Sequence, residues 1–510
     1  MLSLKTLKLG VFVGLVAVAP LTEASGNSSC RCFYGDDCWP SDSTWNAFNQ
    51  SVDGRLVATV PLATPCHTPN YDAKECKVLK DGWLLPEEHY NGKSTGASAL
   101  SVWTHHLKDI EIKDWKDKHY TGKAAKLGAG VQGIEAYEAA HKQGLRMVGG
   151  ECPTVGIAGG YSQGGGHSSL ASKYGLAADQ VLEWEVIDGN GRFLVANRNQ
   201  NTDLYWALTG GGGGTYGVVW SMTSKAHPDG PVSGLNLTFT TTNISDDAFF
   251  KVVELYNTHL PSIVDEGVMS LNFLSNTSFS ISPMTGPGVP LKKLESLIQP
   301  VRDELHRLGI KYVYESEVFD HYLAQFNAQT PLVEVGVAQY GSWLLPRSIM
   351  QKPSTNHELT NSIRTVLARG ATFTTVGINV AKEVSGDVYN AVNPAWRNAV
   401  AHTLMSTTWE FDEPKKMLAK REEMTNVLVP SLSKLAPESG AYLNEADFRQ
   451  PNFKQAFYGE NYDTLRKIKA KYDPHCLFYG LTAVGSDEWT IAESGRMCRT
   501  TSAQALRHEI

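Results

Sequence analysis

The chain has 510 residues, 42% of them hydrophobic and 19% charged, a balance that excludes a disordered polymer; at roughly 150 residues per domain it holds about three structural units. Its formal net charge of -7 supplies no basic field for a polyanion, which argues against nucleic acid as a partner.

At the N-terminus, Lys5 and Lys8 precede an apolar run from Leu9 to Ala19, and Thr22-Glu23-Ala24 offers the small residues of a cleavage site. This is the pattern of a secretory signal peptide over residues 1–24. The run falls short of the roughly 18 residues of a spanning helix, and no later stretch reaches that length, so a secreted protein without a membrane partner is expected. Asn-x-Ser/Thr sequons at Asn27, Asn49, Asn236, Asn243 and Asn276 agree with that route. Cysteines at 30, 32, 38, 66 and 76 read as a disulfide-stapled lead-in. With no C-x-x-C pair or His-rich spacing beside them, no metal site is expected.

Farther along, a short helix is expected near 43–51. Residues 134–142 have helical spacing and stop at Gly144, where a left-handed cap is usual, and Leu145 to Val148 reads as a strand. Trp103, His105 and His106 sit in a strand-like run and read as structural. After Asp229 the glycines thin and the text alternates, as in Leu235-Asn236-Leu237-Thr238-Phe239 and Ser270-Leu271-Asn272-Phe273-Leu274, marking strands with one covered face. A second domain is therefore expected over 229–445, with helices at 247–259, 291–307 and 413–426.

Two glycine clusters carry the chemistry. The first runs from Gly149 to His167 and includes Cys152, Gly156, Gly159, Gly160 and Gly164, Gly165 and Gly166; the second is Gly210 to Gly214, with Gly217 after it. Backbone N–H groups in such text approach an anion without Cβ obstruction and form a cradle for a pyrophosphate or a planar ring. The competing reading is a set of tight turns in a β-rich scaffold. No Lys-Ser/Thr pair closes either cluster, which disfavours triphosphate hydrolysis. No strand, G-x-G-x-x-G, helix and acidic residue follow at dinucleotide spacing, which disfavours an ordinary nicotinamide dehydrogenase.

Taken with Tyr90-Asn91-Gly92-Lys93-Ser94-Thr95-Gly96, Gly150-Glu151-Cys152-Pro153-Thr154-Val155-Gly156, Tyr174-Gly175-Leu176-Ala177-Ala178-Asp179-Gln180, Asp203 to Leu208, and Asn461-Tyr462 with Tyr472-Asp473-Pro474, the chain resembles fungal secreted FAD-linked oxidoreductases of the berberine-bridge-enzyme-like type. These share their FAD-binding fold with vanillyl-alcohol oxidase and p-cresol methylhydroxylase. The resemblance implies an α+β architecture: a two-part α/β FAD-binding domain (30–228 completed by 446–499), a substrate domain with an antiparallel sheet backed by helices (229–445), and a tail at 500–510. It implies FAD as cofactor, bonded to Cys152. Gly159, Gly160 and Gly164 to Gly166 would line the pyrophosphate and ribityl, Gly211 to Gly214 and Gly217 would pack near the cofactor, and Asn461 and Tyr462 would border the flavin. A small alcohol or secondary metabolite would give a hydride to flavin N5, with dioxygen as acceptor.

The family's T-G-H-D-Y element is missing: the text passes from Trp83-Leu84-Leu85-Pro86-Glu87-Glu88 to His89-Tyr90, with Glu88 where the flavin-bonding histidine would align. Loss of the segment would expose a sheet edge, and setting Cys152 aside leaves an odd seven cysteines. The alternative function is then a flavin-incompetent secreted remnant of the family. His167 has two readings, a cofactor contact or a turn residue facing solvent. Tyr462 serves as acid or base only where burial and a cation lower its pKa.

Overall fold

The computed structural model describes residues 30–58, 60–84, 98–330, 338–410, 413–492 and 494–500. The signal-peptide region, Asn27, His89 and the Tyr90 to Gly96 element lie outside these residues. The described chain forms two compact units.

In the smaller unit, an antiparallel hairpin pairs Trp489–Ile491 with Met497–Arg499. Cys30 joins Cys498 across 468 residues of sequence, and Cys32 joins Cys38. The helix Asp42–Ser51 starts where the Ser41 hydroxyl accepts from Thr44 N–H. The cysteine cluster is thus not wholly a local staple: Cys30 reaches the far end of the chain, a pairing that spacing along the sequence does not encode.

The larger unit contains the third disulfide, Cys66–Cys76, a helix Ala73–Gly82, and two antiparallel sheets. The first sheet comprises β1 (Ile110–Lys116), β2 (Thr121–Gly128), β3 (Leu145–Arg146), β4 (Val181–Asp188), β5 (Phe193–Asn197) and β6 (Gly217–Pro228). Its order is β1-β2-β6-β4-β5, with β3 on β6. Among the described residues β1 is an edge strand. The helix Gly133–His141 begins where Gln132 N–H donates to Glu135 and ends before Gly144 at φ +66°, as its text predicts. The strand after it is shorter than expected, since only Leu145 and Arg146 find partners, on Pro228 and His227. Residues 101–106 are irregular or turn rather than strand; Trp103 stacks on His105 and meets His106 edge-on.

The second sheet contains β7 (Val232–Thr240), β8 (Met269–Leu274), β9 (Ser278–Pro287), β10 (Tyr312–Phe319), β11 (Ala338–Pro346), β12 (Thr372–Gly377) and β13 (Ala399–Thr408), in the order β10-β7-β9-β8-β12-β13-β11. Helices Asp246–Asp265, Leu291–Arg307 and Pro353–Ala368 accompany it. Side-chain alternation separates two sets. Leu235, Leu237, Phe239, Phe279, Ile281, Phe373 and Met405 join the helix residues Phe249, Val253, Leu260 and Ile298 in one core. On the other face His402 lies in register between Val376 and Leu344, which belong to a separate cluster with Trp396 and Tyr442.

The helix expected at 413–426 runs from Pro414 to Glu423 and continues through a wide turn into Val429–Ser433. From the C-terminal helix Tyr462–Tyr472, Lys469 Nζ donates to Thr215 O at 2.6 Å and Phe478 O at 2.7 Å, and pairs with Asp473 at 2.5 Å. This ties the C-terminal segment to the second glycine cluster through a buried pair: the Lys469 side chain is 3% exposed and that of Asp473 has no exposed surface.

At the end of β6, the His227 ring stacks on Tyr174 at 3.9 Å and its Nε2 lies 3.0 Å from Gln180 Oε1. Burial, with Lys225, Arg146 and Lys173 nearby, pushes its pKa down to about 4. The unfolded chain takes up this proton near pH 6.5, the folded chain only near 4, so stability is lost as pH falls through that window. At 1.36 kcal/mol per pKa unit the loss is about 3 kcal/mol. Urea denaturation at neutral pH and near pH 4 should show it, and His227→Gln should reduce the difference by that amount.

Candidate active site

The two glycine clusters meet. Gly210 and Gly212 N–H both donate to Gln163 O, at 3.0 and 2.9 Å. A Cβ on Gly213 would stand 2.7 Å from Gly160 Cα, so Gly213 needs to be glycine. Gly159 and Gly214, by contrast, have nothing within 4 Å of a built Cβ. Their backbone faces open space, the condition a cradle requires.

Cys152 sits half-buried in a turn at the start of the helix Gly133–His141, where Pro153 O and Val155 O accept from Ile134 and Gly133 N–H. Its Sγ lies 3.4 Å from Thr154 Oγ1, and it forms no disulfide. Gly156 forms an isolated bridge to Gln132 beside this turn. Gly164 packs on Asn444 and Gly165 on Tyr442, while Gly166, at φ +75°, packs on Tyr161 and Ala177. Asn444 Nδ2 donates to Gly160 O and Tyr442 OH, both at 2.8 Å.

Beside this loop lies a buried cluster that the sequence did not reveal. His167 Nε2 is 3.0 Å from Glu445 Oε1, and His402 Nε2 is 2.9 Å from Glu445 Oε2. On the other side of His167, Nδ1 stands 3.2 Å from Glu151 Oε2, an ion-pair distance without hydrogen-bond alignment. Ser169 Oγ donates to Glu151 Oε1 at 3.2 Å. His167 is 8% exposed, which removes the reading as a solvent-facing turn residue. Burial lowers its pKa, but Glu445 and Glu151 outweigh burial and raise it well above the ordinary value. Burial pushes Glu445 up, yet His167 and His402 hold its carboxyl well below the usual range. For His402 burial prevails over Glu445, and the pKa falls.

Tyr462 and Asn461 are elsewhere in the network. Tyr462 OH donates to Asp487 Oδ1 at 2.7 Å and accepts from Gly485 N–H at 3.2 Å. Burial and Asp487 raise its pKa, the opposite of what an acid/base role needs; its geometry is that of a packing residue. Asn461 Nδ2 donates to Ala391 O and Val392 O at 3.2 Å, bracing the segment on which Gly210 packs. Gly211 packs on Leu465, and Gly217 on Ile187 O within the first sheet.

Comparison with known proteins gives the chain its cofactor. The model described as FAD binding domain matches residues 87–197, and that described as berberine and berberine like matches 441–484. FAD-linked oxidoreductase patO of Penicillium expansum is 42% identical over 561 aligned positions, covering 96% of this chain and 98% of the relative. The chain belongs to the FAD-linked oxidoreductase family. FAD-linked oxidoreductase ZEB1 of Gibberella zeae is 40% identical, with 95% of this chain and 98% of the relative covered. Among solved structures, the VAO-type flavoprotein MtVAO615 of Myceliophthora thermophila C1 superposes with a TM-score of 0.85 at 35% identity, over 92% of this chain and all of that one. The fold expectation holds: a VAO-type FAD-binding architecture, α+β, with antiparallel sheets. The residues present fit FAD, because the open backbone at Gly159 and Gly214 leaves the close approach that a flavin nucleotide needs.

The oxidoreductase is shorter than its alignment: 561 positions face a chain of 510 residues, so patO carries residues with no counterpart here. Gly213→Ala should force the two glycine segments apart. A cost of about 1.4 kcal/mol to the bound state lowers affinity tenfold. The ratio of flavin to protein absorbance in the purified protein, which reports how many chains acquired FAD, should fall in this variant while far-ultraviolet circular dichroism is retained.

Proposed function

We propose that this FAD-linked oxidoreductase is a secreted oxidase that takes a hydride from a small alcohol or secondary-metabolite alcohol, with dioxygen as the final acceptor. The reading is carried by one observation: two glycine segments with open backbone converge beside a half-buried Cys152 without a disulfide and a cluster of two buried histidines with the partly exposed Glu445. When bound, FAD supplies the two-electron acceptor at N5. The chain's part is to hold that group and the substrate together. Cys152 would form the covalent link, Gly159, Gly160, Gly164 to Gly166 and Gly211 to Gly214 would admit the pyrophosphate and ribityl, and His167 would border the ring.

Secretion is supported by three disulfides and by the absence, among the described residues, of any helix long and apolar enough to cross a membrane. Of the sequons, Asn243 and Asn276 are exposed in loops, whereas Asn236 lies within β7 with its side-chain oxygen buried, and Asn49 Oδ1 accepts from Leu56 N–H. We therefore place glycans at Asn243 and Asn276.

A second reading has its own support. The relatives' extra residues favour a chain that lost a segment, which the sequence places before Tyr90. Such a chain would be a flavin-incompetent remnant. Intact mass and the visible spectrum of the secreted protein decide between the readings. Covalent FAD, with peptide mapping placing it on Cys152 and its loss in Cys152→Ala, is the expected result; a folded, colourless protein overturns the oxidase reading.

A further inference from the structure

The cluster of His167, His402 and Glu445 has a composition that its hydrogen bonds alone do not explain. One ligand-capable atom from each of the three residues lies within 4.8 Å of the other two. The three come from distant parts of the chain: His167 follows the first glycine cluster, His402 is on β13, and Glu445 lies beyond both sheets. Both histidines turn Nε2 toward the same carboxylate, at 3.0 and 2.9 Å. Behind His167, Glu151 stands at Nδ1 and is itself held by Ser169. A carboxylate behind a histidine supports a metal ligand when the ring N–H donates to it; Glu151 stands at ion-pair distance from Nδ1, one realignment away from that bond.

Burial is graded in the same sense. The His402 side chain has no exposed surface and that of His167 is 11% exposed, whereas the Glu445 side chain is 34% exposed. The set is closed on the histidine side and open on the glutamate side. Two carboxylates, Glu151 and Glu445, share this region, and a dication bound there would balance their charge.

We propose that His167, His402 and Glu445 form a divalent-cation site, selective for Zn2+ by its two imidazole nitrogens and one carboxylate, with a fourth position open to a substrate oxygen. Three protein ligands with one open position is the arrangement of catalytic rather than structural zinc. The role rests on the oxidase reading above. A substrate hydroxyl at the open position gives up its proton to solvent more readily. Its C–H bond then breaks, the hydride leaves with the electron pair to the bound flavin, and the carbon–oxygen bond becomes double.

Among the described residues, two other groups of metal-capable side chains lack these features. Cys32 and Cys38 are bonded to each other. In the group His141, Asp229 and His321, the Arg146 guanidinium is 3.5 Å from Asp229, and His321 Nδ1 already accepts from Ala324 N–H.

The test is metal content and Zn2+ binding of the full-length secreted protein. After removal of metal with dipicolinate and dialysis, Zn2+ titration should restore about one ion per chain, as three ligands and one open position require, and raise the melting temperature. His402→Gln and Glu445→Gln should each abolish this uptake, and Glu151→Gln should weaken it by about 10–100-fold. Glu445 is partly exposed, so its variant gives the answer should His402→Gln fail to fold. Protein that takes up no Zn2+, or variants that retain uptake, overturn the site. Flavin absorbance is read on the same samples. Flavin without Zn2+ uptake overturns the metal site alone; Zn2+ uptake without flavin overturns the oxidase reading and leaves the site standing.

Discussion

The site depends on backbone meeting backbone. Gly213 lies against Gly160 so closely that no side chain fits on Gly213, and one carbonyl, that of Gln163, takes two N–H groups from the opposing segment. This constraint explains why glycine is dense in two stretches far apart in sequence: each supplies half of one surface. Lys469 secures the second half from below, since its three oxygen partners bind Thr215 to the C-terminal helix. A buried lysine of this kind is a demanding anchor, because removing the cation would leave the buried Asp473 carboxylate with only the Leu477 and Phe478 N–H groups as partners.

Much of the scaffold was legible because periodicity and punctuation report local structure. The helix Leu291–Arg307 matches its text at both ends, and Gly144 stops a helix in the conformation expected of it. Where tertiary pairing decides, the text fell short. Val148 has the residue type of a strand but no partner, and the helix Asp246–Asp265 runs through Pro261 beyond the point where spacing suggested an end.

The candidate site divides in the same way. Its glycines were readable as a group, since each glycine reports a local steric demand. Glu445 and His402 were not, because a lone glutamate in a polar segment and a lone histidine in a strand carry no pattern until folding brings them together. Glu151 stood inside a recognised motif, yet its partner at His167 became evident only from the distance. Tyr462 shows the converse: its place beside Asn461 suggested chemistry, and its hydrogen bonds to Asp487 and Gly485 show structural work.

The bond between Cys30 and Cys498 closes the polypeptide between them, a separation of 468 residues, into a ring. A protease that cuts once anywhere inside that ring opens it without dividing it, so the products stay covalently joined until a reductant acts. Exposed connections between the strands of either sheet therefore become places where the polypeptide tolerates scission, and where new ends could be engineered with the old ones held in place.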